Sequence, residues 1–138
     1  MPAYLADKSA LTRRVTRPEV RKIVEPLVLA GQIATCGIVD LELLFSATSP
    51  AVYAELASAL RALPRISITE AIVDRALAVQ ALLAERSQHR AVPLPDLLVA
   101  ACAESASLTV LHYDADFDRI AELTGQPTQW IVPRGSIS

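Results

Sequence analysis

Two rhythms alternate along the chain. Short apolar runs, several rich in β-branched residues, separate longer stretches in which apolar side chains return every three or four positions. The first rhythm is that of strands and the second that of helices. Ala3 to Ala6 reads as a first strand. Thr16-Arg17-Pro18-Glu19 has the form of a capping box with a proline in the first turn, opening a helix that ends near Gly31. Ile33 to Thr35 makes a short strand. Helices follow from about Ile38 to Ala47, Pro50 to Ala62 and Glu70 to Ser87, with Ile66-Ser67-Ile68 as a strand between the last two. Pro95 starts another helix, to about Ser105. Leu108 to Tyr113 is a strand, Asp116 to Leu123 a helix and Thr128 to Val132 a last strand. Strands separated by helices predict an α/β fold whose parallel sheet is covered on both faces.

Nothing in the sequence suggests a second unit. Its 138 residues carry no internal repeat, low-complexity run or Gly/Ser linker, so residues 1–138 are expected to form one domain. The longest purely apolar stretch, Leu97 to Ala103, is far shorter than the ~20 residues of a membrane span. The opening residues run straight into Asp7 with no basic-then-apolar leader, so a cytoplasmic location is expected. Cys36 and Cys102 are far apart and neither belongs to a C-x-x-C pair, which argues for reduced core thiols over a disulfide or zinc site.

The acidic residues carry the chemistry. Asp7 follows the first strand and Asp114 follows the Leu108 to Tyr113 strand. In an open parallel sheet, ligand sites lie beyond the C-terminal strand ends, so if both strands belong to one sheet these two carboxylates, more than a hundred residues apart, emerge on one edge. Glu42 shares a helical face with Ile38, Leu41 and Phe45, which predicts a buried or nearly buried carboxylate. Such a group must be protonated, paired or metal-bound. Asp40, on the opposite side, reads as solvated. Asp96 lies in the first turn of its helix, where the helix dipole favours an anion, and Ala100 and Ala103 continue its stripe with side chains small enough for close approach to a metal or phosphate.

Asp114-Ala115-Asp116-Phe117-Asp118 superficially suggests an EF-hand loop. Arg119 stands where that loop needs glycine, and Gly125 where it needs a bidentate glutamate. A haloacid-dehalogenase-type D-x-D reading fails as well, because too little chain follows. Asp118 is read as an ordinary surface residue.

Taken in order, Leu5-Ala6-Asp7-Lys8-Ser9, Leu41-Glu42, Leu94-Pro95-Asp96-Leu97-Leu98-Val99-Ala100-Ala101 and Leu111-His112-Tyr113-Asp114-Ala115-Asp116-Phe117 resemble the four acidic motifs of PIN-domain ribonucleases. Length and spacing resemble the VapC toxins. The resemblance covers essentially the whole chain and implies a three-layer α/β/α sandwich around a mostly parallel sheet. It further implies magnesium- or manganese-dependent RNA cleavage at Asp7, Glu42, Asp96, Asp114 and Asp116, a homodimer, and a VapB-like antitoxin that blocks the site. Ser9 matches a position that helps hold metal or water in that family. Lys8 departs from it, standing where a small hydroxyl residue is usual, and a continuing strand pleat would point it away from Asp7.

An all-oxygen ligand set without cysteine or paired histidines suits Mg2+ or Mn2+ better than zinc. The net charge of −2 does not exclude an RNA partner, because setting the five carboxylates aside leaves 13 basic against 10 acidic residues. Arg86, His89 and Arg90, just before the Asp96 motif, could grip RNA phosphates, Arg86 and Arg90 above all. The Arg13, Arg14, Arg17, Arg21 and Lys22 run is the weaker candidate. His112, Trp130 and Tyr4 read as packing residues. Two alternatives stand beside the ribonuclease: a non-catalytic RNA- or partner-binding module of the same fold, and a nuclease acting on DNA.

Overall fold

The computed structural model describes residues 1–137. Five parallel strands form one sheet in the order β3-β2-β1-β4-β5. The strands are β1 (Tyr4–Ala6), β2 (Ile33–Cys36), β3 (Arg65–Ile66), β4 (Thr109–His112) and β5 (Thr128–Trp130), joined by helices α1 (Lys8–Thr16), α2 (Pro18–Leu29), α3 (Gly37–Phe45), α4 (Pro50–Arg61), α5 (Glu70–Glu85), α6 (Leu94–Ser105) and α7 (Asp116–Thr124). β1 pairs with β2 on one side and β4 on the other, with Ala6 beside Leu111. The central strands read as continuous apolar runs because both faces are covered: Ile33, Ala34, Cys36, Val110 and Leu111 are all fully buried.

Helix α6 has the deepest position. It contacts the sheet at β1 and β4 and the helices α3, α5 and α7, and every residue from Val99 to Ala103 is buried. The small side chains of Ala100 and Ala103 let neighbouring elements pack closely against α6. Cys36 and Cys102 are free, buried thiols, and the hydrogen bond between them raises the pKa of Cys102 and lowers that of Cys36.

Some local expectations fail. Helix α1 has no clear signature in the sequence, because only Ala10 and Leu11 are buried and its residues are mostly polar; its start is fixed by Asp7 as N-cap, whose side chain accepts from the Ser9 N–H. The capping box at Thr16 does not form. Thr16 closes α1, so Arg17 caps α2 without a side-chain bond and Pro18 supplies the pre-set first turn. Strand β3 is shorter than Ile66 to Ile68 and shifted back to Arg65. The apolar stripe on α5 is core, with Ile72, Ala76, Val79 and Leu83 all buried, whereas on α4 only Leu60 is buried and Val52 is exposed.

Phe117 is fully buried on α7 and stacks near His112 at a ring-centroid distance of 5.0 Å, which fixes α7 against the end of β4. Replacing Phe117 by alanine is expected to cost about 3–5 kcal/mol of unfolding free energy, read from the shift of the urea midpoint at unchanged slope.

Candidate metal centre

The site begins where β1 and β4 stop. The Asp7 N–H donates to the Leu111 carbonyl at 2.9 Å, and the Tyr113 N–H donates to the Ser9 hydroxyl at 2.9 Å, so the two strand ends are laced together just beyond the sheet. Asp7 is 1% exposed. One of its oxygens accepts from the Ser9 N–H at 3.0 Å, and the other, Oδ1, is buried without a partner. Asp114 is turned back onto the chain: its N–H donates to His112 Nδ1 at 3.1 Å, and its Oδ1 accepts from the Asp116 N–H at 2.9 Å.

Asp96 comes from a third direction, in the first turn of α6, which positive helix-end charge makes tolerable for an anion. It is 5% exposed and its Oδ2 has no partner. One oxygen from each of Asp96, Asp114 and Asp116 lies within 4.8 Å of the others.

Crowding of carboxylates and burial act together on Asp96, Asp7 and Asp116. Asp96 is pushed up to about 9, first by burial, then by its hydrogen bond with the Asp114 carboxyl and the charges of Asp114, Asp7 and Asp116. Burial is also the main cause of a raised pKa at Asp7; the Ser9 hydrogen bonds oppose that rise, and the charges of Asp114 and Glu42 add to it. Asp116 is raised by burial and by Asp114. At neutral pH and without a cation, Asp96 therefore holds a proton. A divalent ion fits the same place: the donors are all carboxylate oxygens, and Asp7 Oδ1 and Asp96 Oδ2 are buried acceptors with nothing to accept from.

Glu42 stands at the edge of this group. Its side chain is about one-fifth exposed, and its Oε2 lies 3.2 Å from the Lys8 ammonium while Oε1 has no partner. Its apolar helical face is not a buried one, since Leu41 and Phe45 are 66% and 92% exposed. Lys8 does not point away from the site. The strand ends at Ala6, so the pleat gives way to the first turn of α1, which turns Lys8 toward Glu42. Asp40 is not a solvated residue either; it pairs with Arg65 at 3.3 Å, and burial raises its pKa. No local pattern announces the Lys8 and Arg65 contacts, because the partners in each pair come from separate elements.

The first basic run is mostly structural. Arg14 pairs with Glu25, Arg21 donates to the Arg14 and Val15 carbonyls, and Arg13 donates to the Ser9 carbonyl while its guanidinium lies 4.6 Å from the Tyr113 ring centre. Arg86 and Arg90 are exposed in the connection from α5 to α6, at the end of α6 that carries Asp96. Among the described residues neither makes an ion pair. His112 is buried between Phe117 and Trp130, and burial lowers its pKa, as suits a neutral packing residue. Trp130 donates to Asp118 at 3.1 Å, which gives Asp118 a structural role.

The PIN domain family model matches residues 4–123. Ribonuclease VapC51 of Mycobacterium tuberculosis is 52% identical over 97% of this chain and 96% of its own length. Ribonuclease VapC21 of the same species is 42% identical over 96% of both chains. In fold, the chain is similar to one in the DNA-bound VapBC complex of Salmonella typhimurium, with a TM-score of 0.80 at 16% identity, covering 96% of this chain and 100% of that one.

The raised Asp96 pKa sets the sign of a pH effect. The folded chain binds more protons than the unfolded one between the ordinary aspartate value and about 9, so this group's stabilising contribution is complete at acid pH and is lost as pH rises through that window. In chelator, Asp96→Asn is expected to flatten the fall in melting temperature between about pH 5 and pH 9 and to melt above the parent at the alkaline end, as followed by circular dichroism.

Proposed function

Because the chain belongs to the PIN domain family, within its VapC branch, we propose that it is a divalent-metal-dependent endoribonuclease and the toxin of a toxin-antitoxin pair, acting in the cytoplasm to inhibit translation and growth. The observation that carries the reading is the convergence of Asp96, Asp114 and Asp116, with buried unpartnered oxygens on Asp96 and Asp7 beside them. A module that only bound RNA would gain nothing from carboxylates that repel phosphate. Its VapC relatives bear the name ribonuclease, which supports RNA over DNA as substrate.

In this reading Asp7, Glu42, Asp96, Asp114 and Asp116 form the catalytic acidic set, with Mg2+ or Mn2+ as cofactor. When bound, such an ion lowers the pKa of a water and offsets charge on the phosphate. Asp96 would hold the ion as an ionised carboxylate, and Asp7 and Asp114 are held in place by the Ser9 and Asp116 N–H groups. The Ser9 hydroxyl accepts from Tyr113 and keeps its own proton to donate to Asp7 or to a water. Arg86 and Arg90 contact phosphates flanking the scissile bond. A VapB-like antitoxin and a second copy of the chain are the proposed partners, for which exposed Leu41, Phe45, Tyr53, Leu77 and Leu94 offer apolar surface.

Purified, antitoxin-free protein is expected to cut RNA with Mg2+ or Mn2+ and not in chelator, and Asp96→Asn to lower the rate at least about a hundredfold while remaining folded. Arg86→Ala and Arg90→Ala are each expected to weaken RNA binding and reduce the salt dependence of the binding constant by roughly 0.7 in log-log slope. Folded, metal-loaded protein that cuts no RNA would favour the binding module instead.

A further inference from the structure

Lys8 puts a positive charge at the edge of the acidic site. Its ammonium is 3.2 Å from Glu42 Oε2, and Glu42 in turn lies close enough to Asp7 for its charge to be felt there. The three carboxylates whose oxygens converge are Asp96, Asp114 and Asp116, and Glu42 is not among them. The site thus has two ends: the converging oxygens of Asp96, Asp114 and Asp116, and a Glu42 corner paired with Lys8. The Lys8 side chain is half-exposed, and an ion pair open to solvent contributes little to stability. The pair's position in the first turn of α1, next to Asp7, sets it at the edge of the site.

Resting on the metal-dependent reading above, we propose that the Lys8 ammonium is the resident cation of the Glu42 corner: the site takes one divalent ion, at Asp96, Asp114 and Asp116, and Lys8 contacts the substrate phosphate from where a second ion would otherwise sit. The chemistry favours such an exchange. A half-exposed ammonium on a flexible four-carbon stem can exchange the Glu42 carboxylate for a phosphate oxygen. A positive charge held beside the acidic cluster also repels a second divalent ion at that corner. Lys8 is thus a positioning and charge-balancing residue of the same reaction, supplied by the chain itself.

A calorimetric Mn2+ titration of the folded, antitoxin-free protein tests this without reference to activity, as a cycle of Lys8→Met, Glu42→Gln and the double variant. The parent is expected to bind one ion per chain. Lys8→Met is expected to bind a second ion, or the first about tenfold more tightly. Glu42→Gln should change affinity less than about threefold while Lys8 is present, yet remove the gain in the Lys8→Met background. Equal losses from Glu42→Gln in both backgrounds, or no effect of Lys8→Met, overturn the proposal. Asp96→Asn separates the two readings: if the parent binds Mn2+ and Asp96→Asn does not, the metal site stands whatever Lys8 does. If neither the parent nor Lys8→Met binds Mn2+, the metal reading fails and this inference with it.

Discussion

Partly buried carboxylates brought this close repel one another, and the structure around them is arranged to tolerate that repulsion. One strand end supplies Asp7, another supplies Asp114 and Asp116, and the first turn of α6 supplies Asp96. Each is relieved differently. Asp7 and Asp114 accept backbone N–H bonds, Glu42 faces the Lys8 ammonium, and Asp96 keeps a proton with its pKa pushed up to about 9. Neutralisation is incomplete, because buried oxygens of Asp7 and Asp96 remain without donors. A divalent cation relieves the whole group at once, which is the physical basis for treating the cluster as a site.

The fold is what makes this crowding reproducible. A parallel sheet aligns every strand's C-terminal end along one edge, and the β1–β4 pairing sets Asp7 beside the residues that follow Leu111. Ser9 then ties the first turn of α1 to the Tyr113 N–H, so the two acidic segments cannot drift apart independently. The helix α6, packed on all sides by small and aliphatic residues, presents Asp96 from a rigid support.

Much of this is legible in the residues. The apolar runs locate all five strands, and the placement of Asp7 and Asp114 just after two of them anticipates their meeting, because apolar runs and strand-end acids are local signals. The helix α1 is hidden, since its cap is the very aspartate that reads as a ligand and its surface is mostly polar. Side-chain direction is the weakest inference. A pleat carried past Ala6 aims Lys8 wrongly, because the strand has already ended there, and Asp40 looks solvated until Arg65 on β3 is brought beside it. Apolar neighbours on one helical face do not fix the burial of Glu42, because exposed Leu41 and Phe45 show that an apolar face can be left uncovered by its own chain.

Whether these carboxylates hold a divalent ion is tested most directly by anomalous diffraction from crystals grown in Mn2+. A single strong peak is expected about 2.1 Å from oxygens of Asp96 and of Asp114 or Asp116. Crystals whose only manganese lies on the outer surface, with the three carboxylates still clustered around a shared proton, would contradict it.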